Sequence, residues 1–272
     1  MTDPAIHKTY VRTRSGRVHL AECGSGAPVL LFHQTPRSWA EFRWVLPLLG
    51  RQGRAIAMDT RGFGDSDPLP GTPSIEAWAV AALDLADALG LDRFAVCGHH
   101  TGAYIALECA ASAPERVTAL AVSGMGFVDA ENRETRAGKP VVDEVEPHPD
   151  GTHLVALWQR RQPNYPADRA DLLEAFVLDA LKAGPMAAEG HRVVGRYRME
   201  ERVGLVRCPA LLMAAMADQH SFPSARRVAE AIPQSELVEV PGAMVPFPDQ
   251  MPEEFAAVVT RFLSTASALQ PF

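Results

Sequence analysis

The side chain best placed to do chemistry is His100, at the centre of Gly98-His99-His100-Thr101-Gly102. This pentapeptide follows the apolar run Phe94-Ala95-Val96-Cys97 and precedes Ala103-Tyr104-Ile105-Ala106-Leu107, so it reads as a strand-to-helix corner. Such a corner thrusts its central side chain outward, and glycines two residues to either side relieve backbone crowding. An imidazole titrates at about pH 6.5 and accepts a proton without an activating partner, so proton transfer and nucleophilic attack are both open to it. The other histidines, among them His33, His153 and His220, show no HExxH-like spacing, and no metal centre is expected.

The corner needs a scaffold, and the flanking sequence supplies one. Residues 9–14 and 17–23 read as a hairpin around Ser15-Gly16. Pro28-Val29-Leu30-Leu31-Phe32 is a buried-strand run, followed by the loop His33-Gln34-Thr35-Pro36-Arg37-Ser38 and a helix through Trp39, Phe42, Val45, Leu46 and Leu49. Arg54 to Met58 is a further strand ahead of a polar, glycine-rich loop, Asp59 to Asp67. A helix over about 74–89 starts at Ser74 and stops at Gly90. Strands are then predicted at Val117 to Val122, Ala210 to Ala214 and Glu236 to Val240, with helices to Ala231 and from Glu253 to about Leu263. Near-continuous apolar strands alternating with helices indicate a parallel sheet covered on both faces, an α/β fold. The rhythm breaks between about 127 and 206, where charge clusters such as Glu131-Asn132-Arg133-Glu134 and proline turns surround helical patterns near 152–161, 168–183 and 187–201.

Composition narrows the function. With 272 residues and 47% hydrophobic content the chain can bury one sizeable core. A formal net charge of −7 without a basic block argues against nucleic acid or an anionic membrane as partner, and leaves a small molecule as the expected one. Four scattered cysteines form no CxxC pair and read as reduced, buried thiols. Met1 to Lys8 has no apolar signal-like core and no run is long enough to span a bilayer, so a soluble, cytoplasmic protein is expected.

Taken in order, the loop His33-Gln34-Thr35-Pro36, the loop Asp59-Thr60-Arg61-Gly62-Phe63-Gly64-Asp65-Ser66 and the Gly98 to Gly102 elbow make the chain resemble the α/β-hydrolase superfamily, in the branch with a helical cap after the sixth strand. The resemblance spans nearly the whole chain. It implies a mostly parallel sheet flanked by helices, with a core of residues 1–127 and 207–272 and a cap of 128–206. Members carry a nucleophile on the elbow, an acid after the seventh strand and a histidine after the eighth. By that pattern Asp218 is the acid, and the backbone N–H groups of Gln34 and Thr101 form the oxyanion hole. Two positions depart from it: the elbow holds His100 where serine is usual, and Met244 stands where the histidine is expected. His99 is implied to be structural. His33, Trp39, His153, Trp158, His220 and Met244 are the expected pocket residues, each with a plain packing or bracing alternative.

Three readings follow. His100 is a general base oriented by Asp218, with Met244 filling the vacated space; or His100 is a nucleophile that forms an acyl-imidazole; or the fold is kept for binding alone. The first implies cofactor-independent hydrolysis of a small apolar ester, lactone or activated C–C bond. A lyase or isomerase in which His100 only moves a proton is the alternative.

Overall fold

A computed structural model describes residues 4–268; of the N-terminal stretch read above, Met1 to Asp3 lie outside the described residues, as do residues 269–272. The strands are β1 (His7–Thr13), β2 (Gly16–Gly24), β3 (Pro28–Phe32), β4 (Arg54–Met58), β5 (Phe94–His99), β6 (Val117–Ser123), β7 (Ala210–Ala215) and β8 (Ser235–Val240). They form one eight-stranded sheet in the order β1-β2-β4-β3-β5-β6-β7-β8. Only β1 with β2 and β2 with β4 pair antiparallel; every pair from β3 onward is parallel.

The apolar runs are continuous because both faces of the sheet are covered. In β3, Leu30 and Phe32 enter one core while Val29 and Leu31 enter the other, and in β5 Phe94 and Val96 alternate in the same way with Ala95 and Cys97. Helices α2 (Ile75–Ala88), α3 (Thr101–Ser112) and α8 (Ala225–Ala231) cover the first face. The second is covered by α1 (Val45–Gly50) and α10 (Pro252–Ala268). All four cysteines are buried and unbridged, and burial pushes the Cys97 thiol up to about 12.

The long insertion lies between β6 and β7. It contains α4 (Ala130–Arg136), α5 (Thr152–Arg161), α6 (Ala170–Ala183) and α7 (Met186–Arg196). Helix α4 grows from what the sequence shows as a charge cluster, because Asp129 caps it by accepting the Asn132 N–H. The helix expected over 187–201 ends at Arg196: Tyr197 turns extended and its hydroxyl reaches Glu108 of α3, 2.8 Å away. The helix expected from Trp39 to Leu49 is also broken, into a 3-10 turn at Trp39–Phe42 capped by Ser38, and then α1. A short α9 (Phe247–Gln250) follows β8. No helix among the described residues is long and apolar enough to cross a membrane.

Parallel pairing carries the carboxyl ends of β3, β5, β6, β7 and β8 to one edge, where ligands bind in open α/β sheets. The loops there hold His33 to Ser38, His100, Gly124, Asp218 and Met244. Beside them, Asp59 accepts the Trp39 and Asp65 N–H groups and pairs with His19, while Arg61 donates to the carbonyls of Ser15, Asp67 and Pro68. These two charges brace loops.

Candidate active site

The corner that presents His100 is strained. Its φ of 46° and ψ of −112° put a bulky aromatic residue in the region that favours glycine. Two glycines make the bend fit: a Cβ on Gly98 would overlap the Gly102 carbonyl, and one on Gly102 would overlap the Phe32 carbonyl at the end of β3. The His100 N–H is held by Ser123 O at 2.9 Å. Its ring lies against Gly124, where an added Cβ would fall 2.5 Å from Cδ2.

Across the ring stands Asp218, fully buried, with Oδ2 3.2 Å from His100 Nε2. The contact is at ion-pair distance, but the ring N–H direction misses that of a hydrogen bond. The His220 N–H meets Oδ1 at 2.9 Å, and the Ser221 hydroxyl meets Oδ2 at 2.5 Å. Burial by itself raises this carboxyl's pKa, yet His100 and these donors together hold it well below the usual carboxylate range. Asp218 is therefore ionised at neutral pH and faces the imidazole.

His99 points the other way. Its Nε2 donates to Val245 O at 2.8 Å, which leaves Nδ1 to accept the Ser123 hydroxyl at 2.6 Å. Burial, reinforced by His100, lowers its pKa well below the ordinary value. It is a neutral strut that ties the elbow to the loop after β8. The two rings meet edge to face at 4.6 Å.

The loop after β3 corrects one expectation. The Gln34 N–H donates to Glu41 Oε2 at 2.8 Å and the Gln34 side-chain amide to Oε1 at 2.5 Å, so the backbone donor assigned to the oxyanion hole is already engaged. A glutamine in that position brings its own carboxylate partner and turns the amide toward it. The next amide, Thr35 N–H, has no acceptor among the described residues, and neither has Thr101 N–H at the start of α3, where helical amides lack partners by geometry. Thr35 precedes Pro36 across a cis peptide.

Glu41 lies wholly out of water, and burial pushes its carboxyl up to about 7 from 4.5 against the opposing pull of Arg37 and the Gln34 amides. The folded protein thus binds this proton more tightly than the unfolded chain. The resulting stabilisation is complete below the unfolded pKa and is lost as pH rises through about 7. Between about pH 4.5 and 7.5 the wild type is expected to lose Tm relative to Glu41→Gln; parallel curves in a fluorescence melt series would remove Glu41 as the cause.

The structure places the other expected pocket residues as follows. His33 donates through Nδ1 to Gln34 O at 2.8 Å and accepts the Thr60 N–H at Nε2, 2.9 Å away, so neither nitrogen remains for a ligand. Trp39 packs on the core of the opposite sheet face under Lys8, whose Nζ is 5.7 Å from the ring. His153 accepts the His148 N–H at 3.1 Å and steadies the turn before α5. Trp158 joins the cluster of Leu157, Tyr165, Leu172 and Phe176, which reaches Val245 beside Met244. Met244 is half-buried, its N–H held by Gln250 Oε1 at 2.7 Å. His220 is exposed, 3.2 Å from Asn164 Oδ1 of the insertion, and borders a cavity of about 310 Å³ with Phe127, Asn132, Arg136 and Ser224.

The sequence reading passed over three insertion residues, Asp143, Arg161 and His191. Asp143 and Arg161 are buried, and His191 Nε2 lies 2.6 Å from Asp143 Oδ2. No spacing marks them. Only charges in a segment without a strand pattern hinted that something there had to be paired.

Residues 27–148 match the model of the alpha/beta hydrolase fold family. A thermophilic esterase from Thermogutta terrifontis, solved with malate bound, superposes with a TM-score of 0.79 at 25% identity over 96% of this chain and 99% of that one. The chain has the α/β-hydrolase fold. Among relatives by sequence, this α/β-hydrolase-fold chain is 37% identical to Epoxide hydrolase 2 of Siraitia grosvenorii over 126 residues, 45% of its own length and 40% of that protein. It thus spans well under two thirds of that relative. Haloalkane dehalogenase 2 of Mycobacterium bovis is 27% identical over 96% of this chain and 97% of the other.

Gly124→Ala tests how tightly the elbow is packed. The added methyl meets the His100 ring at a φ of +65°, so the variant is expected to lose roughly 1–3 kcal/mol and to displace the ring from Asp218. A melt curve and the His100 imidazole resonances read both effects; unchanged resonances would mean that the ring does not rest on Gly124.

Proposed function

We propose that the protein is a hydrolase of a small, largely apolar carbonyl compound, an ester, a lactone or an activated C–C bond, with His100 as general base. The observation that carries this reading is the imidazole on the elbow, 3.2 Å from an ionised, buried Asp218. An anionic oxygen opposite Nε2 favours the tautomer with its proton there, which leaves the Nδ1 lone pair to accept a proton from water.

The steps close. For an ester, water gives one proton to His100 and its oxygen bonds to the carbonyl carbon. The carbonyl oxygen becomes an oxyanion that accepts from the uncommitted N–H groups of Thr101 and Thr35, each such donor contributing about 10²–10³-fold. Collapse breaks the acyl–oxygen bond, and the departing alkoxide takes the proton back from the imidazolium. Asp218 stabilises that imidazolium without being protonated itself. The epoxide hydrolase, dehalogenase and esterase relatives support hydrolysis as the class of reaction, and the expected cap, residues 128–206, is the part of the chain that would shape substrate choice.

Turnover of p-nitrophenyl butyrate in oxygen-18 water tests the reading. Label in the butyrate product is the expected result. Turnover of a carbonyl substrate without label in the product would turn the assignment to a lyase or isomerase.

A further inference from the structure

A second carboxylate–imidazole pair lies in the insertion. Asp143 is buried and gripped by Arg161, whose Nε donates to Oδ1 at 2.8 Å and whose Nη2 donates to Oδ2. Arg161 is itself fixed over the Phe176 ring, 4.7 Å from its centroid. A planar fork clamped on one side and stacked on the other leaves the carboxylate no freedom to turn. Although burial would raise the Asp143 pKa, Arg161 and His191 hold it below the ordinary value, so it is an anion.

His191 Nε2 meets that anion at 2.6 Å. Arg161 Nη2 also lies 3.2 Å from Nε2, but the anion is the nearer partner, so the proton sits on Nε2 and Nδ1 becomes a lone pair. Burial lowers the ring's pKa against the pull of Asp143, so the imidazole is neutral at pH 7. Nδ1 has no partner among the described residues. An oriented, neutral imidazole with a free acceptor is the form a proton-accepting histidine takes.

The cluster borders segments that flank the elbow: Arg161 stacks on Phe176, whose apolar cluster includes Val245, the acceptor of His99 Nε2. Helix α7 lies directly on the loop after β3: a Cβ on Gly190, the neighbour of His191, would fall 2.5 Å from Thr35 Oγ1 and 3.1 Å from Phe63 Cζ. That Thr35 hydroxyl is buried with no partner, an unfilled polar position beneath the helix. His100 contributes to the lowering of the His191 pKa, and Asp218 acts in turn on Arg161.

We propose that His191, oriented by Asp143, is the second proton acceptor of this site: it holds the attacking water from the cap side while His100 holds it from the elbow. The proposal rests on the hydrolytic reading above. The water carries two protons. One goes to His100 and returns with the leaving alkoxide; the other stays on the added oxygen until the product acid ionises, passes to His191 Nδ1, and leaves to solvent from a side chain that is 29% exposed. The sum is ester plus water giving carboxylate, alcohol and one proton. Asp143 is the positioning residue, and Arg161 fixes Asp143.

With p-nitrophenyl butyrate as probe, His191→Ala in the full chain is expected to lower kcat by about 10–100-fold with KM within about twofold. His191→Asn, whose amide oxygen takes the place of Nδ1 as an acceptor, should recover part of the loss. Because that amide holds a water but takes no proton, wild-type kcat in His191→Ala, or full recovery in His191→Asn, overturns the proposal. Nitrogen-15 shifts of the histidine rings give a readout without turnover: the proton on Nε2 of His191 is expected, together with a rise in its pKa in His100→Ala. A proton on Nδ1 overturns the proposal whatever the activity. If the wild type hydrolyses no ester but the nitrogen-15 result is as expected, the hydrolytic reading fails and the oriented acceptor stands.

Discussion

Replacing His100 by alanine is expected to lower kcat by about 10²–10⁴-fold, the contribution of a placed general base. At about 1.36 kcal/mol per tenfold, this is roughly 3–5 kcal/mol of transition-state stabilisation. KM should change little, because the imidazole acts on water while apolar contacts hold the substrate. Residual turnover is expected, since the amides of Thr101 and Thr35 survive the substitution. Serine at position 100 should do no better than alanine. Its hydroxyl would need a base, and the loop after β8 offers Met244, whose thioether takes up no proton. Steady-state kinetics on p-nitrophenyl butyrate decides this. Full activity in His100→Ala would remove the residue from the mechanism, whereas strong activity in His100→Ser would show that another base reaches position 100. Covalent label trapped on His100 in the wild type would make it a nucleophile.

How much of this could be read from the chain depended on whether neighbours in space were neighbours in sequence. The strand Pro28–Phe32 and the elbow with Gly98 and Gly102 are local: an apolar run and two glycines four positions apart record what the backbone must do, and the structure has both. Asp218 was expected in a loop after a strand, and it follows β7. Gln34 was misjudged because its N–H is claimed by Glu41, seven residues on, in a short turn that the sequence reads as one continuous helix. Trp39 was misplaced for the same reason, since that turn directs it to the far face of the sheet. The Asp143–His191 pair joins residues 48 positions apart across a segment without a strand rhythm. Burial of a charge is a property of the packed insertion, and no periodicity reports it.

The buried charge at Arg37 shows what the same packing demands in energy. Its guanidinium has no exposure; Nε lies 2.8 Å from Asp179 Oδ2 on α6, and Nη2 lies 2.9 Å from Asp249 Oδ2 on α9. One side chain from the loop after β3 thereby joins the insertion to the loop region after β8. Asp249 is fully buried and its pKa is raised by burial even with Arg37 present. Arg37→Ala is expected to leave that carboxyl with only the more distant Arg43 Nε, 3.7 Å from Oδ1, and to cost about 3–5 kcal/mol, the usual penalty for removing one partner of a buried pair. For a chain of this size about 2–4 °C of Tm accompanies each kcal/mol, so the melt should fall by about 10 °C. Adding Asp249→Asn to Arg37→Ala removes that charge and should restore part of the loss, giving a coupling energy in a double-mutant cycle. Additive losses would mean that the two charges do not depend on each other. The Arg37→Ala loss should also grow as pH rises from 5 to 8, because a buried Asp249 without its nearer partner is better tolerated while it carries a proton. A loss that does not vary with pH over that range would place the damage in packing around the vacated guanidinium.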